Sequence, residues 1–145
     1  MAYLLDVNVL IARIDPWHEA NAAVSEWLDR MAGERLLFCP LVENGFLRIY
    51  GHPGYPGGPG SPEKAAVDLH DMLELPNAQF ISEDISIRDD DIFRSMANLT
   101  PRQLTDVYLL GLSVSKGARF ATLDGRVPAD AVRGGSEALT VISEA

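Results

Sequence analysis

At 145 residues and 47% apolar composition the chain can bury one sizeable core, and a single domain spanning residues 1–145 is expected. A formal net charge of −9 excludes a sequence-independent nucleic-acid binder that works through the field of the whole molecule. It leaves nucleic-acid chemistry open, because carboxylates gathered around divalent cations add to the negative count while the bound cations reverse the local sign.

The single cysteine, Cys39, excludes an intramolecular disulfide and suits a reducing compartment. No basic region followed by an apolar run and cleavage site opens the sequence, and no stretch approaches about 18 consecutive apolar residues. A cytoplasmic protein with no membrane association is therefore expected. Ten of the basic residues are arginines, against only Lys64 and Lys116.

Tyr3 to Leu5 reads as a short buried strand. Asp6 ends it, and Val7 to Ile14 reads as the first helix. Asn8, two residues after Asp6, either orients that carboxylate or caps the helix. Asp15 and Pro16 have the pattern of a cap and first position of a second helix, with Ala20, Val24, Trp27, Leu28 and Met31 on its apolar face and His18 in its first turn. No second His or Cys lies at ligand spacing from His18, so it reads as a surface residue.

Leu36 to Cys39 is the second strand, and Pro40 opens a helix that runs to Tyr50. Glu43 sits one turn into it, where the helix dipole alone favours an acid. Residues 51 to 62, GHPGYPGGPGSP, alternate Pro and Gly and predict a long exposed loop, either a lid that contacts substrate or a tolerated surface insertion. Ser61 and Pro62 start the next helix, which stops before Pro76, and Gln79 to Ile81 is a third strand.

Glu83, Asp84 and the run Asp89, Asp90, Asp91 form the densest acidic cluster. The three consecutive aspartates point in different directions on any regular element and lack the spacing of a calcium loop. They predict the solvated start of a helix carrying Ile92, Phe93 and Met96.

Thr100, Pro101 and Gln103 mark the start of a strongly apolar helix that carries Asp106 and stops at Lys116 and Gly117. Arg102, Asp106 and Ser113 fall close to one face of it. Ala118 to Leu123 is a fourth strand, ending in Asp124. Pro128 to Val132 reads as a helical turn and Leu139 to Ile142 as a last strand.

Alternating strands and helices predict an α/β fold with a parallel sheet of about five strands and helices on both faces. Asp6, Glu43, Asp106 and Asp124 then come from four separate segments, each at or beside the carboxyl end of a strand, the edge where such sheets bind ligands. Four clustered carboxylates repel unless protonated or neutralised, and magnesium or manganese prefers such all-oxygen sites. The chain has no GxxxxGK[ST] loop, GxGxxG fingerprint or GxSxG elbow, which disfavours nucleotide triphosphatase, dinucleotide-binding and hydrolase-triad chemistry.

Four blocks resemble, in order and over essentially the full length, the signature blocks of PIN-domain proteins. They are LLDVNVLIA with Asp6, PLVENGFLR with Glu43, LTDVYLLGLSVSKG with Asp106 and FATLDGRV with Asp124. The closer similarity is to VapC-type toxins of bacterial toxin–antitoxin pairs. The resemblance implies a three-layer α/β/α sandwich with a central, mostly parallel sheet. It further implies an endoribonuclease whose Mg2+ or Mn2+ is held by Asp6, Glu43, Asp106 and Asp124, with Asn8 and Thr105 in support.

The expected reaction is hydrolysis of an RNA phosphodiester by metal-activated water, leaving a 5′-phosphate and a 3′-hydroxyl. The expected partners are an antitoxin and a second copy of the chain. Arg13, Arg48, Arg102 and Arg126 lie nearest these segments and are candidates for RNA phosphates or for surface ion pairs. The Gly/Pro loop is no part of the family pattern. Two other readings are a non-catalytic PIN-like module that binds RNA or protein, and a receiver-type phosphoacceptor. The second lacks paired acids after the first strand and a suitably placed lysine.

Overall fold

The computed structural model describes residues 1–143. Five parallel strands, β1 (Ala2–Leu5), β2 (Arg35–Phe38), β3 (Ala78–Phe80), β4 (Arg119–Thr122) and β5 (Leu139–Val141), pair in the order β3-β2-β1-β4-β5. Every neighbouring pair is parallel, so the sheet is wholly parallel among the described residues. The three central strands are almost fully buried, as expected for strands covered on both faces, while β3 and β5 form the more exposed edges.

From β1 the chain steps one way to β2 and β3, then returns across the sheet to β4 and β5. Right-handed crossovers therefore put the two sets of helices on opposite faces and make a three-layer α/β/α sandwich. On one side α1 (Val7–Ile14) packs against α2 (Asn21–Arg30) and α3 (Pro40–Tyr50), and α3 packs against α4 (Pro62–Leu73). On the other, α5 (Pro101–Ser115) packs against α6 (Gly135–Ala138) and the 3-10 turn Ala129–Ala131. The carboxyl ends of β1 and β4 lie side by side where the strand order reverses, which is the place where open parallel sheets bind ligands.

Two expectations are corrected. The second helix does not start at Asp15 and Pro16 but at Asn21. Asp15 instead ends α1, accepting the Trp17 N–H at 2.9 Å and the Tyr55 phenol at 2.7 Å. His18 accordingly lies in a turn, its Nδ1 accepting the Ala20 N–H at 3.0 Å.

The aspartate run does not open a helix either. Ile92 and Phe93 are drawn into an antiparallel bridge with the 3-10 turn: Arg94 N–H donates to Ala131 and Arg133 N–H to Ile92, both at 2.8 Å. Phe93 is buried and lies against Gly111 of α5, where any Cβ would collide with the aromatic ring. The apolar pull of that one side chain outweighs the weak helical tendency of an exposed acidic run.

The neighbouring acids are also accounted for. Glu83 accepts the Leu41 N–H at the start of α3, and Asp84 pairs with Lys116 at 3.0 Å. Lys116 is thus engaged with an acid outside the group of Asp6, Asp106 and Asp124. Ser113, on the same face as Asp106 in the sequence pattern, is fully buried and donates to the Leu109 carbonyl at 2.8 Å. Cys39, between β2 and α3, is buried, and burial pushes its thiol pKa up to about 12.

Gly111→Ala is expected to destabilise the fold by roughly 1–3 kcal/mol through overpacking. The measurement is the urea midpoint, and Phe93→Leu in the same chain should recover part of the loss. A wild-type midpoint for Gly111→Ala would show that Phe93 is not seated on α5.

Candidate active site

Asp6 is the last residue before α1, with extended backbone, and its Oδ1 accepts the Val7 N–H at 2.7 Å. Its Oδ2 accepts the hydroxyl of Thr122, the last residue of β4, also at 2.7 Å. The same hydroxyl oxygen accepts Asn8 Nδ2 at 3.2 Å and the Asp124 N–H at 3.1 Å. A hydroxyl has one donor and two acceptor positions, so Thr122 is saturated. Asn8 Oδ1 in turn accepts the Leu123 N–H at 3.2 Å. Asn8 thus reaches Asp6 only through Thr122, and it does not cap the helix.

Asp106, one turn into α5, faces this network. Burial, then the charges of Asp6 and Asp124, raise its pKa to about 6. Asp6 is raised chiefly by burial, against the lowering effect of its bonds to Thr122 and Val7, with Asp124 adding to the rise. Asp124 is held below the usual range, first by the Arg126 N–H at 2.9 Å and further by the Arg126 guanidinium at 3.2 Å. The structure therefore brings Asp6, Asp106 and Asp124 within electrostatic reach of one another.

Glu43 stands in the first turn of α3, half-buried, and its raised pKa comes from burial alone. The charges of the other three acids do not contribute to it. Among the described residues no three His, Cys, Asp or Glu side chains form a finished cation-holding group.

Two hollows meet at Asp106. A cleft of about 640 Å³ is lined by Asp6, Asn8, Thr105 and Asp106 on one side and by Asn44, Gly45 and Arg48 of α3 on the other. A second hollow, about 410 Å³, is lined by Arg102, Gln103, Asp106, Asp124 and Arg126. Gly45 lets α3 approach α1, since a Cβ there would lie 2.8 Å from Val7 Cγ2.

Of the four arginines singled out from sequence, Arg48 and Arg102 line these hollows, and Arg126 is tied to Asp124. Arg13 lines a separate apolar cavity with Asp68 and Asp71. Thr122 and Asn44 were missed by the sequence reading. Thr122 stands two residues before Asp124 in an apolar run where Thr reads as an ordinary strand former, and Asn44 carries no local signal beyond its place beside Glu43.

A parallel α/β/α sandwich with mutually repelling carboxylates at its switch point defines a class of protein that concentrates negative charge where open parallel sheets bind ligands. No family model matches the chain. Among curated proteins it is 33% identical over 143 residues to Ribonuclease VapC44 of Mycobacterium tuberculosis (strain CDC 1551 / Oshkosh), covering 94% of this chain and 96% of that one. It is 34% identical over 124 residues to Ribonuclease VapC38 of M. tuberculosis (strain ATCC 25618 / H37Rv), covering 86% of each.

A solved structure of VapBC2 from Rickettsia felis, bound to a DNA fragment from their promoter, matches 88% of this chain and 94% of that one, with a TM-score of 0.60 and 14% identity. That likeness supports the fold. The chain belongs to the VapC-type toxins of the PIN-domain family, and it is a ribonuclease.

Two predictions follow from this geometry. Thr122→Val leaves Asp6, Asn8 and the Asp124 amide without their shared partner and should cost roughly 1–3 kcal/mol in urea unfolding, whereas Thr122→Ser should restore most of it. Asp106 is raised on folding, so its protonation favours the folded state: its contribution is fully present below the unfolded value near 4 and lost as pH rises through about 6. In chelator, the thermal midpoint of Asp106→Asn minus that of wild type should grow from pH about 4 to about 6 and then level off. A difference independent of pH would remove the electrostatic coupling.

Proposed function

We propose that this single-domain chain is a cytoplasmic, Mg2+- or Mn2+-dependent endoribonuclease whose cation-holding residues are Asp6, Asp106 and Asp124, with Glu43 closing the set from α3. The observation that carries the reading is the gathering of Asp6, Asp106 and Asp124 beside adjoining strand ends, around two hollows that meet at Asp106, near enough that burial and the two other charges raise its pKa to about 6. Such a group of acids is electrostatically incomplete, and an all-oxygen donor set fits a hard divalent cation. When bound, the cation would activate water and stabilise charge on the leaving oxygen.

The chain's own residues do the positioning. Thr122 and the Val7 amide hold both oxygens of Asp6, and Asn8 fixes the Thr122 hydroxyl by bonding it from one side and the Leu123 amide from the other. Thr105 stands beside Asp106 on the wall of the cleft. Arg48 and Arg102, on either side of Asp106, suit the phosphates that flank the scissile bond. The products are an RNA 5′-phosphate and 3′-hydroxyl. No histidine is needed as general base.

The relation to VapC proteins and the fold shared with a VapBC2 complex support an antitoxin as the partner that restrains the activity; a homodimer as the working unit is part of the same proposal. No helix among the described residues is long and apolar enough to cross a membrane.

Asp6→Asn and Asp106→Asn should each reduce magnesium-dependent RNA cleavage by at least about a hundredfold while circular dichroism stays native, given what one lost electrostatic element typically costs. Cleavage retained at the wild-type rate in Asp106→Asn would sink the assignment of the site.

A further inference from the structure

The cleft beside Asp106 does not end at α3. Arg48 and Ile49 line it and also line a shallow hollow of about 400 Å³ completed by His52, Gly54, Tyr55 and Pro56. The two hollows thus adjoin at Arg48 and Ile49, on the last turn of α3, and together form a groove wall that reaches from the carboxylates to the Gly/Pro-rich segment that follows. That segment is anchored. The Tyr55 phenol donates to Asp15 at 2.7 Å, and its ring meets Tyr50 edge-on at a centroid distance of 5.1 Å. Tyr50 in turn packs on Phe46 of the core, the two rings tilted by 30° at a centroid distance of 5.4 Å.

The groove surface suits one strand of a polynucleotide. His52 is exposed, and its ring is set by the Gly54 N–H, which donates to Nδ1 at 2.8 Å. With Nδ1 accepting, a neutral ring carries its proton on Nε2, leaving a free face for stacking and a donor at its edge. Ile49, 42% exposed, supplies an apolar floor beside it. Arg48 has no carboxylate within ion-pair distance among the described residues, in a chain with 21 acids to 12 bases. An exposed ring, an apolar step and an unpaired guanidinium around one hollow are what unstacked bases and their phosphates require.

We propose that this groove is a substrate subsite for single-stranded RNA next to the scissile bond, in which His52 stacks on a base and Arg48 binds the adjoining phosphate. Tyr55 is a positioning residue that holds the wall in place through Asp15. The inference rests on the ribonuclease site described above and adds to it where the strand leaves that site.

The test is steady-state cleavage of a short single-stranded RNA by the full chain with magnesium. Arg48→Ala and His52→Ala should each raise KM by about tenfold, with kcat changed much less, as expected when one stacking or phosphate contact is lost. His52→Phe keeps a stacking face and should stay near the wild-type KM. Tyr55→Phe should raise KM as well, without lowering the thermal midpoint enough to unfold the chain at the assay temperature.

Unchanged KM in both Arg48→Ala and His52→Ala, with native thermal midpoints, overturns the proposal. Unchanged KM accompanied by a smaller sedimentation coefficient also overturns it, by making the groove wall a contact between copies of the chain. Asp106→Asn run alongside separates the two levels of inference. If it abolishes cleavage while the groove variants do nothing, only the subsite fails; if it leaves cleavage intact, the site assignment itself fails.

Discussion

One hydroxyl joins the two halves of this molecule at its working edge. Thr122 closes β4, and its single oxygen binds the carboxylate that starts α1, the amide side chain of Asn8 and the backbone of Asp124. The partners come from opposite ends of the chain, 116 residues apart for Asp6. All are at least partly buried, so each bond forgone would leave a polar group without water to replace it. The parallel pairing of β1 with β4 brings the partners together, and the bonds in turn fix the register of the two strand ends.

The same network explains how the protein tolerates a cluster of like charges. Thr122 and the Val7 amide stabilise ionised Asp6 against its burial, and Arg126 does so for Asp124. Among the described residues Asp106 has no such help. It takes the repulsion of the other two, and so it is the residue whose charge state a cation or a proton would settle. Two acids held by hydrogen bonds beside one that is not let the like charges share one strand edge.

Much of this was legible in the sequence. Each of the three central strands appears as a short, mostly apolar run, because strands covered on both faces leave no room for alternation. The acids at the strand ends were visible as interruptions of those runs. Thr122 was not, since a threonine in a strand looks the same whether its hydroxyl bonds a neighbour or a carboxylate across the sheet.

Asp15–Pro16 misled because a cap at a helix start and a residue ending a helix share the same chemistry, and the choice was made by Tyr55, forty residues on. The aspartate run misled because Phe93 answers to Gly111, not to its own local pattern. In both cases a tertiary contact overrode a correct local propensity. Glu43 is a different case: its helix and turn are where the pattern put them, yet its charge environment is set by burial and not by the other acids.

The sealing of Cys39 has a practical consequence. It is the only thiol in the chain, it has no exposed surface, and burial keeps it protonated far above neutral pH. Alkylating reagents attack the thiolate, so the folded molecule is invisible to them and only opened molecules react. The rate of labelling at this one sulfur becomes a clock for how often the junction of β2 and α3 comes apart.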